Sequence, residues 1–150
     1  MKNKLNKTIE NFTGAKILNM SFLSGGCVSD VYRIDLSNGE TLVAKVGDTE
    51  SSLELEGLML KYLAQHSDLP VPDVLLANDD LLLLTWVSST GALNTAAQIH
   101  AADLVAALHQ IRDNFFGFPY NTVIGGLNQT NLQSESWLDF FAKHLLTILQ

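Results

Sequence analysis

Lys45 stands where this chain can do chemistry, because of the residues that precede it. Ser24-Gly25-Gly26-Cys27 reads as a short glycine turn, in which backbone N–H groups could approach an anion with no Cβ in the way. An alternating run from Val28 to Leu36 follows, reverses at Ser37-Asn38-Gly39-Glu40, and returns as Thr41 to Val46 carrying Lys45. Asn-Gly between two alternating apolar runs signals a hairpin. A two-residue turn there pairs Ile34 with Val43 and Tyr32 with Lys45, and puts all four side chains on one face. An ammonium flanked by aliphatic groups beneath a glycine turn suits a nucleotide, with apolar surface for the base and cation and amides for the phosphates. The same residues also read as an ordinary turn and a solvated strand lysine, since short glycine motifs recur by chance. No lysine of the phosphate-loop type follows the glycines and no helix opens directly after them, so phosphate-loop and dinucleotide fingerprints fail on context.

A lysine on an apolar face needs a counter-charge. The helix predicted from Glu50 or Ser51 to about Gln65 offers Glu54 and Glu56. Leu53, Met59, Leu60 and Leu63 lie three, four or seven residues from Glu56, which puts Glu56 on the inward stripe and makes it the partner of Lys45. Glu54 shares its side with Gly57 and Lys61 and reads as a solvated first-turn acid facing the helix dipole. The four histidines, His66, His100, His109 and His144, have no partners at metal-ligand spacing. Cys27 is either a small turn residue or a thiol activated by neighbouring amides.

The elements that position these residues follow from periodicity. A short leading helix covers about Asn3 to Asn11. Strands are expected at Ala15–Phe22, Val28–Leu36, Thr41–Val46, Val74–Ala77 and Leu81–Val87, with one helix between the third and fourth. Ser88-Ser89-Thr90-Gly91 is a small polar connection, after which Ala97–Ile111 and Ser136–Leu149 take helical spacing. Phe115 to Asn131, rich in Gly, Asn and Pro, reads as an ordered loop. The layout is α+β, with a five-stranded antiparallel sheet plus one helix in residues 1–87 and helices in 88–150.

Composition narrows the classes. With 150 residues, 47% of them apolar, the chain can bury a core, and its formal net charge of −7 disfavours a nucleic-acid partner. One cysteine excludes an intrachain disulfide and fits a reducing compartment. The opening residues lack a signal-peptide core, and Leu81 to Leu84 is too short to cross a bilayer, so a cytoplasmic protein is expected.

With those residues in place, the chain resembles the fructosamine (ketosamine) kinase family, relatives of aminoglycoside and choline kinases with a protein-kinase-like fold. Ser24-Gly25-Gly26-Cys27 looks like the family's glycine turn, Val43-Ala44-Lys45 its strand lysine, and Glu54-Leu55-Glu56-Gly57-Leu58 its paired-acid helix. Leu69-Pro70-Val71-Pro72 resembles the motif leading into the next strand, and Leu82-Leu83-Leu84-Thr85-Trp86-Val87 the hinge strand. Leu104 to His109 looks like the first large-lobe helix. Phe116-Gly117-Phe118, Asn121, Ile124-Gly125, Gln129, Asn131, Trp137, Phe140 and Phe141 resemble the segment characteristic of the family. The resemblance implies ATP as cofactor, held by Ser24, Gly25, Gly26, Cys27, Val43, Lys45, Thr85, Trp86 and Val87, with Glu56 positioning the lysine. It implies a glycated amine or protein as substrate, phosphorylated on a sugar hydroxyl.

Thr85 departs from the family's usual hinge acid, and no His-Gly-Asp catalytic triplet occurs in the 150 residues. His66-Ser67-Asp68 lies in the wrong lobe to replace it. No catalytic residue is therefore assigned, and ligands for Mg are expected beyond residue 150. The expectation is an N-terminal half that grips nucleotide without completing catalysis, with exposed helical faces open to self-association. The alternatives are a truncated non-catalytic nucleotide-binding or interaction module, and a kinase of another small molecule such as an aminoglycoside or choline.

Overall fold

The computed structural model describes residues 2–23, 29–47, 52–88, 91–124 and 127–145, with Lys2, His144 and Leu145 by backbone alone. The first elements are α1 (Lys2–Thr13), β1 (Ile17–Leu23), β2 (Asp30–Leu36), β3 (Thr41–Val46), α2 (Leu53–His66), β4 (Val74–Ala77) and β5 (Leu81–Thr85). All five strands pair antiparallel in one sheet, in the order β1-β2-β3-β5-β4. The α+β layout is the one expected. Two compact units divide the chain, Met1–Ala64 with Pro70–Thr90 and Gln65–Leu69 with Gly91–Gln150.

Each face of the sheet has its own core. Ile34, Leu36, Leu42, Ala44, Leu81 and Leu83 form one with Ile9 and the partly buried Leu5 of α1. Leu82 and Leu84 form the other with Leu53 and the partly buried Val43 and Leu60. The run Leu81 to Leu84 is buried at every position because β5 is paired on both edges and covered on both faces. Helix α1 stops at Gly14, whose φ of +67° closes the last turn with its N–H donating to Glu10 O at 2.9 Å.

The hairpin between β2 and β3 corrects the expected register. Its loop has three residues, Ser37-Asn38-Gly39, with Leu36 N donating to Glu40 O at 2.9 Å and Gly39 N donating to Leu36 O at 3.0 Å. Gly39 takes a φ of +87° whereas Asn38 does not enter positive φ, so the turn is a type I turn followed by a glycine bulge. Asn38 is held there by its own side chain, which accepts from Glu40 N at 3.1 Å. The extra residue shifts every pair by one. Val31 faces Lys45, Arg33 faces Val43, and Asp35 faces Thr41, while Tyr32 and Ile34 pair with Ala44 and Leu42. Tyr32 and Ile34 thus lie on the opposite face from Lys45.

Helix α2 approaches the sheet through Gly57. A Cβ there would meet Ala77 Cβ at 2.5 Å and Leu82 Cδ1 at 3.2 Å. Gly57 is therefore buried against β4 and β5 and not on the solvated side expected with Glu54, which is itself exposed.

The second unit contains α3 (Thr95–Gln110), a hairpin of β6 (Thr122–Ile124) and β7 (Leu127–Gln129), α4 (Trp137–Phe140), and a π-helical turn over Phe141–Leu145. Asn94 caps α3, its Oδ1 accepting from Ala97 N at 2.9 Å. The stretch from Phe115 to Asn131, expected as loop, includes that hairpin, and a bridge joins Phe116 to Ser134. Asn131 organises it: its buried Nδ2 donates to Thr122 Oγ1 at 2.7 Å and to Tyr120 O at 3.2 Å. Gly117, at φ +130°, lets the chain pass within 3.0 Å of Asn131 O, measured from where a Cβ would stand.

Candidate functional site

Strand alternation sets out one face of the sheet in rows. Lys45 is flanked by Val31 and Leu82, Val43 by Arg33 and Leu84, and Thr41 by Asp35, while the pair Leu42 and Thr85 closes the β3–β5 ladder on the opposite face. The Lys45 ammonium donates to both carboxylate oxygens of Glu56, at 2.7 Å and 2.6 Å. Their side chains are 23% and 38% exposed, so the pair is sheltered but reachable from solvent. An ammonium has three N–H groups, and among the described residues two are met, which leaves one for a ligand on the apolar face beside Val43. Such a group is chemically fitted to a phosphate oxygen.

A second polar cluster lies further along the same face. The Asp35 carboxylate accepts from Arg33 Nε at 2.9 Å, Thr41 Oγ1 at 3.1 Å and Asn19 Nδ2 at 3.2 Å. Hydrogen bonds from Asn19 and Arg33, with help from Thr41, hold its carboxyl below the usual carboxylate range. The Arg33 guanidinium carbon sits 4.9 Å from the ring centroid of Trp86. This cluster was not foreseen, because the expected register placed Ile34 and Tyr32 on this face. The three-residue loop would have revealed it, since Arg33, Asp35 and Thr41 then align.

Of the expected hinge residues, Thr85 is committed to the sheet. Its N–H donates to Asp73 O at 3.0 Å and its hydroxyl accepts from Asp73 N at 2.9 Å. Trp86 is half-buried and Val87 is 64% exposed, beyond the last ladder pair. Ser24, Gly25, Gly26 and Cys27 lie outside the described residues. Among the described residues, no three His, Cys, Asp or Glu side chains gather in a way that could hold a metal ion. No described helix is long and apolar enough to cross a membrane.

The fructosamine kinase family model matches residues 1–150. A Synechocystis protein named a probable ketoamine kinase is 28% identical over 131 residues, covering 83% of this chain and 44% of its own length. Two crystal structures of proteins assigned as fructosamine-3-kinases, from Thermobifida fusca and Haemophilus somnus, superpose with TM-scores of 0.73 and 0.73. They are 23% and 21% identical, cover 95% and 93% of this chain, and are themselves covered over 51% and 50%. A macrolide 2′-phosphotransferase matches 74% of this chain and 43% of its own at a TM-score of 0.56 and 17% identity. These structural likenesses establish a kinase-like phosphotransferase fold. The chain spans about half the length of the relatives it matches. With the match running from its first residue to its last, this chain belongs to the fructosamine kinase family.

Proposed function

We propose that the first unit binds ATP through Lys45 and so serves the phosphorylation of a sugar hydroxyl of a ketosamine by the full-length enzyme. The observation that carries the reading is the Lys45–Glu56 pair on the face shared with Val43. When bound, ATP supplies the phosphoryl group. Lys45 would meet its phosphates and offset their charge, Glu56 would keep the ammonium aimed, and Val31 and Val43 would offer aliphatic surface to the base. Trp86 and Val87 are assigned to the adenine through their backbone, in place of Thr85, whose N–H is already used. Ser24 to Cys27, outside the described residues, would offer backbone N–H groups to the phosphates. The ketosamine substrate is supported by the whole-chain family match and by the names of the relatives.

No His-Gly-Asp triplet occurs in the 150 residues to supply a base. None of the 150 residues is therefore assigned as catalytic base. Nucleotide binding without turnover is the behaviour proposed for the 150 residues by themselves. Calorimetric titration with ATP tests this. Lys45→Met is expected to weaken binding by about tenfold or more, and Glu56→Gln by a smaller factor. Absence of ATP binding, or unchanged affinity in Lys45→Met, overturns the reading. Ketosamine-dependent ADP release by the purified chain, lost in Lys45→Met, would overturn the claim of no turnover.

A further inference from the structure

We propose that Arg33 is a positioning residue for nucleotide recognition: braced by Asp35, it holds the Trp86 ring and with it the backbone that leaves β5. The proposal rests on the ATP reading above and adds to it a division of labour along one sheet face.

Arg33 is fixed before it meets Trp86. Its Nε is bound by Asp35 Oδ1, and that carboxylate is itself held by Asn19 from β1 and Thr41 from β3. Three strands therefore define where the guanidinium lies. A free arginine would sample many rotamers; this one is restricted and presents its cation 4.9 Å from the indole centroid. The contact falls at the point where the chain departs from the sheet. Thr85 makes the last β3–β5 pair and is tied to Asp73 by both its N–H and its hydroxyl. Trp86 follows it directly, so clamping the indole constrains the backbone of Trp86 and Val87.

Lys45 and Arg33 stand at different places on that face, Lys45 opposite Val31 and Arg33 opposite Val43. Lys45 holds the anionic end of the nucleotide and Arg33 sets the geometry of its base-reading end. The two ends should then fail separately.

The experiment compares ATP with inorganic tripolyphosphate, which has the charge and no base. Arg33→Met is expected to weaken ATP binding by about fivefold to tenfold while tripolyphosphate affinity stays within about twofold. Lys45→Met is expected to weaken both. Arg33→Lys should recover part of the ATP affinity, since it keeps the charge without the planar fork. The chain has two tryptophans, Trp86 and Trp137, so Trp137→Phe isolates Trp86 emission, which Arg33→Met should shift. ATP affinity unchanged in Arg33→Met overturns the proposal. So does a loss of ATP and tripolyphosphate in equal proportion, which is what general unfolding gives. Unmoved Trp86 emission refutes the clamp even where binding changes. If the unsubstituted chain takes tripolyphosphate and not ATP, the nucleotide reading itself fails and the proposal falls with it, whatever the emission does.

Discussion

At the residue scale, two carboxylates do different work, Glu56 on α2 and Asp35 on β2. Glu56 could be assigned to Lys45 from sequence because helical spacing separates inward from outward acids, and Glu54 is indeed exposed. Asp35 could not be assigned, because its partners depend on a one-residue difference in loop length that the Asn-Gly signal does not resolve. Its role has a consequence for pH. Hydrogen bonds from Asn19, Arg33 and Thr41 depress the Asp35 carboxyl in the folded chain, so the unfolded chain takes up that proton first as acid is added. The stabilisation is complete above the unfolded value near pH ~4 and is lost as pH falls through the lower folded value. Glu10 acts in the same direction, depressed by the Ile17 N–H and then by Lys16. Asp35→Asn is therefore expected to flatten the fall of the urea midpoint below about pH 4, with Glu10→Gln removing a separate share. An acid slope that is the same with and without Asp35 would show that the cluster contributes nothing to folding.

At the element scale, the sheet and its two helices were legible where patterning was strong. Thr41–Val46 and Val74–Ala77 appear with the expected ends, and the helix between them starts and stops within a few residues of its expected span. Tertiary contact decided what periodicity could not. The hairpin Thr122–Ile124 with Leu127–Gln129 was hidden because each strand has only three residues, too few to show alternation, and is organised by a buried asparagine. Gly57 was placed by its charged helical neighbours Glu54 and Lys61, when its lack of a side chain was the better signal. An interior helix glycine costs about 1 kcal/mol against alanine, which suggests a close approach when it persists. Gly57→Ala puts a methyl 2.5 Å from Ala77 Cβ, an atom fixed to the β4 backbone that cannot swing aside. The substitution is expected to lower stability by about 1–3 kcal/mol despite better helix propensity. By lifting α2 it should also loosen Glu56 from Lys45 and weaken ATP binding. A rise in the urea midpoint, as a solvated helix glycine would give, would refute the close packing.

At the scale of the whole molecule, the two units differ in how much apolar surface they cover within themselves. In the first, Ile9, Ile34, Leu82 and Leu83 are 0% exposed, each worth roughly 1.5–3 kcal/mol of burial. In the second, no residue of α3 is buried, and Ile99 and Val105 remain 58% and 46% exposed. Trp137 touches Phe116, Phe140 and Phe141 at centroid separations of 5.7, 6.0 and 5.7 Å, yet is itself 52% exposed. A helix of this length is marginal when its apolar residues stay wet, because helical stability comes mostly from packing one face. Contiguous wet apolar surface also favours association. Native-state hydrogen exchange should therefore rank β3 and β5 as the slowest amides and α3 among the fastest of the hydrogen-bonded ones. Sedimentation at micromolar concentration should show weak, concentration-dependent association, reduced by Ile99→Ser with Val105→Ser. A monomer at all such concentrations in which α3 exchanges as slowly as β5 would mean that this helix is covered in solution after all.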